Sequence, residues 1–212
     1  MDQEHPNFSR PSSSLQGIPR AVPRYIRYTT LGLRRLDAKL PKSSKPPKSP
    51  GPTILYFAYG SNLSLAQMHE RCPTSSPLVP ARLAGYRWII STRGYANIVA
   101  SRCDEVWGFL YSLTPTDEAS LDKHEGVPTQ YIKQTVTVEI PLADSNFMDK
   151  QALVYIDLLH KTDGTPMQEY IGRMKAGIHD AVCKGAPVSY FKKSVLPPLG
   201  LSEEVLPSRY SC

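Results

Sequence analysis

Tyr56-Phe57-Ala58-Tyr59-Gly60-Ser61-Asn62-Leu63 is an apolar, aromatic run that stops abruptly at a glycine and two small polar residues. The segment from Thr53 to Tyr59 reads as a strand, and Gly60-Ser61-Asn62 as the tight turn that ends it. Leu63 to Arg71 then reads as a short helix, with Ser61 or Asn62 as its cap. In such a strand–turn–helix, successive backbone N–H groups and the positive end of the helix converge on one point. That point suits a carboxylate or an oxygen that gains negative charge during a reaction. An ordinary β–α turn accounts for the composition equally well.

Further strand-like runs follow at Arg87 to Ser91, Asn97 to Ala100, Val106 to Leu113, Tyr131 to Ile140 and Ala152 to Leu159. The fourth alternates most cleanly, with Ile132, Val136, Val138 and Ile140 on one face and Tyr131, Lys133, Thr135, Thr137 and Glu139 on the other. Two helices interrupt the series. Thr114-Pro115-Thr116-Asp117 supplies a cap, a proline at the first helical position and an acid three residues after the cap, and the helix it opens ends at Gly126. Thr165-Pro166 opens another, in which Met167, Tyr170, Ile171, Met174, Ile178, Ala181 and Val182 form one apolar stripe closed by Gly185. The expected architecture is α+β: a mixed or mostly antiparallel sheet, curled around its core, with helices packed outside.

Charge divides the chain. Residues 1–52 hold 9 of the 20 prolines and 10 basic against 3 acidic groups, a local charge of +7, so the other 160 residues carry 15 basic and 16 acidic groups, or −1. The expected domain therefore has no net positive field to hold a phosphate backbone, and nucleic acid is excluded as its partner. No apolar run approaches the roughly 18 residues of a membrane-spanning helix, so a soluble protein without a membrane partner is expected. The boundary predicted is a disordered basic Pro/Ser-rich extension over 1–52 and a folded domain over 53–212. Within the extension, Tyr25, Ile26, Leu33, Leu36 and Leu40 recur at near-helical spacing among basic residues, as in a basic amphipathic helix or a mitochondrial transit peptide. Asp2 and Glu4 argue against the latter, and the cytoplasm is the compartment expected.

Standard signatures are missing: there is no G-x-S-x-G, no phosphate-binding loop, no G-x-G-x-x-G and no H-E-x-x-H. Cys72, Cys103, Cys183 and Cys212 are scattered without metal-ligand spacing and read as reduced thiols. His69, His124, His160 and His179 lie far apart, and each reads as a surface or half-buried side chain. Glu125 is more informative. It falls in the last turn of its helix, where the negative end of the macrodipole opposes a carboxylate. A raised pKa is unfavourable for stability but useful in a general base; taken alone, a solvated glutamate at a frayed helix end accounts for the position better.

Taken with Leu121-Asp122-x-x-Glu125-Gly126-Val127, the Tyr56–Leu63 run resembles the γ-glutamylcyclotransferase family. Ala96-Asn97-Ile98 and Asp104-Glu105-Val106-Trp107-Gly108 fit the same pattern between them, and the resemblance runs from about Ile54 to Val195. It implies a small barrel-like α+β fold and a reaction that needs no metal or cofactor. The α-amine of a γ-glutamyl group attacks its own side-chain amide carbonyl, closing 5-oxoproline and releasing the amino acid. By position, Glu125 is the base, and Tyr56, Phe57, Ala58, Tyr59, Gly60 and Ser61 hold the glutamyl head group. Tyr131 and Tyr170 match family tyrosines that reach the substrate. Tyr155 matches another, and core packing is an equal role for all three. Tyr131 stands about one residue closer to Glu125 than in the animal members.

The implied partner is a small γ-glutamyl compound, with a homodimer as the assembly to test. A relative acting on a γ-glutamyl amine, or a non-catalytic binding module of the same fold, is the alternative. Because charge and disorder-prone composition are confined to the extension, a chain starting near Gly51 is expected to fold and keep its turnover. An insoluble or inactive truncation, by circular dichroism and 5-oxoproline assay, would place residues 1–52 on the domain.

Overall fold

A computed structural model describes residue 51 and residues 53–208. The leading segment, with the amphipathic stretch expected near residues 25–40, and Cys212 lie outside the described residues. Five strands close into a barrel in the order β1-β3-β2-β4-β5, where β1 is Ile54–Ala58, β2 Ser76–Ile90, β3 Ala96–Leu113, β4 Ile132–Pro141 and β5 Phe147–Ile156. Strand β1 pairs antiparallel with β3 over its whole length and parallel with β5 at Tyr56↔Leu153, the contact that closes the barrel. The remaining pairings are antiparallel, and the α+β barrel expected from the sequence is the fold observed.

Strands expected as separate pieces are continuous. Arg87 to Ile90 is the end of the 15-residue β2, with Ser91 just beyond it in an isolated bridge to Asp163, and Asn97 to Ala100 joins Val106 to Leu113 in the 18-residue β3. The alternation breaks at Ala84/Tyr86, where a bulge shifts the register of the β2–β3 hairpin and turns the exposed faces over. β5 ends at Ile156 instead of Leu159, because the Asp157 carboxylate accepts the Leu159 and His160 N–H groups and curls the chain into a turn.

The barrel is filled by aromatic and aliphatic side chains. Phe57, Phe109 and Leu110 are almost wholly buried, each contributing about 1.5–3 kcal/mol relative to exposure. The longer helices pack outside: α1 (Leu65–Arg71), α2 (Pro115–His124) and α3 (Gln168–Cys183), with short helical turns following α3 from Val188. α2 begins on the capping box read from the sequence, with Thr114 and Asp117 bonding reciprocally, and stops at Gly126, whose φ of 65° requires glycine. α3 buries Tyr170, Met174, Gly177, Ile178 and Ala181, while Met167 is its half-exposed N-cap. The first helix differs from expectation: Ser61–Leu63 is a single 3₁₀ turn, and Ser64 is the residue that caps α1 by accepting from the Gln67 N–H. No helix among the described residues is long and apolar enough to cross a membrane. Cys72 is a buried free thiol and Cys103 an exposed one, whereas Cys183 is disulfide-bonded, which corrects the reading of all the cysteines as reduced.

Strand β1 lies so close to β3 that a Cβ on Gly108 would stand 2.4 Å from the Ala58 carbonyl oxygen and 2.6 Å from the Phe57 ring. Neither can retreat, one being backbone and the other a core ring. Gly108→Ala is therefore expected to cost about 1–3 kcal/mol, as overpacking does. A thermal melt checks this, and a variant as stable as the parent would mean that β1 moves freely against β3.

Candidate active site

The chain leaves β1 at Ala58, turns through Tyr59-Gly60 and enters the 3₁₀ turn, which places Asn62 in the interior at the end of the barrel. Its carboxamide meets four partners. Nδ2 donates to the Tyr56 hydroxyl (2.8 Å) and to Glu125 Oε1 (3.0 Å), and Oδ1 accepts from Gln67 Nε2 (2.7 Å) and from the Arg71 guanidinium (3.0 Å). A carboxamide has two N–H donors and two acceptor lone pairs, so every capacity of Asn62 is filled. Sequence reasoning had Asn62 as a helix cap. It is the residue that joins β1, α1 and the end of α2.

Glu125 is the C-cap of α2, as its place before Gly126 predicted. Its side chain is only 17% exposed, and the Arg71 guanidinium stands 3.5 Å from Oε1. Burial pushes its pKa above the usual carboxylate range, and Arg71, the Asn62 hydrogen bond, Arg173 and Arg93 each pull it part of the way back. The rise expected from the sequence is present, with desolvation as its leading cause. The neighbouring His124 shifts the other way, held below the ordinary histidine value by burial and by Arg71.

Around Glu125 lies a cavity of about 240 Å³, a size for a small ligand. Tyr56, Tyr59, Gly60, Ser61, Tyr131, Tyr155 and Tyr170 all line it, together with Glu125. Phe57 and Ala58 do not: both side chains are fully buried in the core, Phe57 on the strand face opposite Tyr56 and Ala58 in the ladder opposite Phe109. Tyr131, on the polar side of the alternating pattern, also turns inward and donates its hydroxyl to the Ala96 carbonyl (3.0 Å).

The tyrosines differ in what their hydroxyls are free to do. Tyr59 donates to the Tyr155 carbonyl (2.7 Å), and Tyr155 donates to Asp122 (2.8 Å). Tyr170 is the reverse: its oxygen accepts the Ser61 N–H (3.2 Å), so its own proton is left for the cavity. Burial pushes its pKa up to about 12, offset in part by backbone hydrogen bonds from Ala96 and Ser61, so it remains a neutral donor. The close approach depends on Gly60, where a Cβ would stand 2.9 Å from that hydroxyl. The turn therefore presents an amide-held phenol beside the converging backbone N–H groups expected from the sequence.

Arginines were missed. Arg71, Arg93 and Arg173 line the cavity as well. Arg173 lies three residues after Tyr170, a spacing that puts both on one helical face, and Arg71 follows Gln67 by four, so helical spacing could have found these two. Nothing near Arg93 signals its position. Among the described residues, no three His, Cys, Asp or Glu side chains are grouped as a metal site requires.

Since the folded-state pKa of Glu125 is raised, its ionised form costs stability above that pKa and costs none below the ordinary value of about 4.3. Glu125→Gln is expected to raise the Tm at pH 7, with the gain vanishing as the pH falls toward 4. Melts of both proteins across that range decide it: a variant less stable at pH 7 would mean that the Arg71 pairing outweighs burial.

The description "gamma-glutamyl cyclotransferase, AIG2-like" matches residues 56–171. The chain is 36% identical over 99 residues to a gamma-glutamylcyclotransferase of Bos taurus, covering 42% of this chain and 53% of that protein. It is 27% identical over 151 residues to the one of Homo sapiens, covering 66% and 77%. The match thus spans about half the length of the bovine relative. Among solved structures, one of a gamma-glutamyl cyclotransferase superposes with a TM-score of 0.58 at 25% identity, over 76% of this chain and 92% of the other. The matched region opens at Tyr56 and closes just past Tyr170, so it holds the whole Asn62–Glu125 constellation, and the chain belongs to the γ-glutamyl cyclotransferase, AIG2-like family.

Proposed function

We propose that this chain is a γ-glutamylcyclotransferase that converts a γ-glutamyl amino acid to 5-oxoproline and the free amino acid. The observation that carries the reading is the Glu125 carboxylate: buried, raised in pKa and held by Asn62 and Arg71 on the wall of a cavity sized for a small ligand. An α-amine is mostly protonated near neutral pH and attacks only once deprotonated. A base with a pKa closer to the working pH does this better than an ordinary glutamate.

The steps balance without an outside reagent. The reacting form is the neutral α-amine, its ammonium proton already lost to solvent, and Glu125 takes one of its two remaining protons as the nitrogen bonds to the side-chain amide carbon. The carbonyl oxygen becomes an oxyanion, and the Tyr170 hydroxyl, whose oxygen already accepts the Ser61 N–H, donates to it. As the C–N bond breaks, Glu125 returns its proton to the leaving nitrogen, and the carboxylate is regenerated. The aromatic-walled cavity holds the glutamyl chain bent for ring closure, which supplies the proximity that a flexible chain lacks in water.

Glu125→Gln keeps the size and the Asn62 hydrogen bond but cannot accept a proton, so kcat is expected to fall by about 10²–10⁴ with KM changing far less. His124 is the rival base, and His124→Gln is expected to retain kcat within a few-fold. 5-Oxoproline release from γ-glutamyl dipeptides and γ-glutamyl-lysine by both variants tests the assignment. An active Glu125→Gln enzyme, or a folded but dead His124→Gln one, overturns it.

A further inference from the structure

Three guanidinium groups line the cavity against one carboxylate, Glu125, and they are held in different ways. Arg71 is engaged by Glu125 and by Asn62 Oδ1. Arg173 is locked to Glu169 through two nitrogens (3.0 and 2.9 Å) and reaches Ser61 Oγ at 3.3 Å, so it faces the glycine turn. Arg93 stands on the connection between β2 and β3. One of its nitrogens donates to Asp157 Oδ2 (3.1 Å), and its Cζ lies 5.4 Å from the Tyr131 ring centroid.

Asp157 is buried, and three further donors fix it: the Leu159 N–H, the His160 N–H and the His160 ring, at 2.9, 3.0 and 2.8 Å. Arg93 is therefore mounted on a rigid carboxylate and loses little freedom on binding a ligand. Its other terminal nitrogen donates to Gln130 Oε1 at 2.6 Å. Gln130 is an exposed side chain lining the same cavity, and its neutral oxygen marks a place where a carboxylate oxygen would bind more strongly, through a charge-assisted bond.

Resting on the cyclotransferase reading, we propose that Arg93 docks the carboxylate of the leaving amino acid, displacing Gln130, so that the enzyme selects γ-glutamyl amino acids over γ-glutamyl amines and amides. A γ-glutamyl amino acid carries two carboxylates, and a γ-glutamyl amine only one. Arg173, beside Ser61, is placed for the glutamyl carboxylate, which leaves Arg93 for the second.

The test compares γ-glutamylalanine with its C-terminal amide, which has the same shape without the charge. For the full chain, kcat/KM is expected to favour the acid by about 10- to 100-fold, the range of a hydrogen-bonded charge. In Arg93→Gln that ratio collapses toward one through the KM of the acid. Arg93→Lys keeps a cation beside Asp157, so the fold is retained even where Arg93→Gln destabilises it, and it keeps only part of the ratio. Calorimetric binding of both compounds to the Glu125→Gln protein reads the same preference without turnover. Equal handling of acid and amide by the native chain, or a ratio unchanged in both Arg93 variants, overturns the Arg93 subsite alone. No 5-oxoproline from either compound, with the acid still bound more tightly than the amide through Arg93, overturns the reaction and leaves the subsite standing.

Discussion

The site depends on one buried carboxamide with no hydrogen-bonding capacity to spare. Asn62 ties a strand residue, Tyr56, to two residues of α1, Gln67 and Arg71, and to the end of α2 at Glu125. Leaving a buried polar group unsatisfied costs about 1–3 kcal/mol, so none of these partners can move away alone. The amide orientation is fixed by the same partners, since only the nitrogen can face a carboxylate and only the oxygen a guanidinium. The glycine turn matters chiefly because it delivers this side chain to the interior.

Around that hub, opposing effects meet at Glu125. Burial disfavours the charged carboxylate, and three guanidinium groups and an amide favour it, with burial the larger. A carboxylate raised in this way accepts a proton more readily than an ordinary glutamate, which a fully paired ion does not. The surrounding tyrosines separate into two kinds by the same logic. Tyr59, Tyr131 and Tyr155 donate to protein acceptors and act as walls, while Tyr170, which accepts the Ser61 amide, and Tyr56, which accepts from Asn62, keep a proton to offer.

Much of this was legible along the chain because it depends on near neighbours. The strand that ends just before the Gly60 turn, the Thr114–Asp117 capping box and the stop at Gly126 are local effects, and with them came the position of Glu125. What escaped was tertiary. The bulge at Ala84/Tyr86 hid a single long hairpin as several short strands, because a register shift reverses the alternation on which strand reading relies. Phe57 and Ala58 lie in the same run as Tyr56 and Tyr59, yet face the core, so a motif assigned as a block overstates the number of side chains that reach the cavity. Arg93 shows the limit most plainly: it becomes a cavity residue only because barrel closure brings Asp157, 64 positions later, against it.

The most direct test of the central claim is a ¹³C NMR titration of the Glu125 side-chain carboxyl in the free protein. The account predicts a midpoint clearly above the ordinary glutamate value of about 4.3, because burial outweighs Arg71 and Asn62. A midpoint at or below that value would contradict it, making Glu125 the anionic half of a structural ion pair with Arg71 and removing the physical basis for its role as the base.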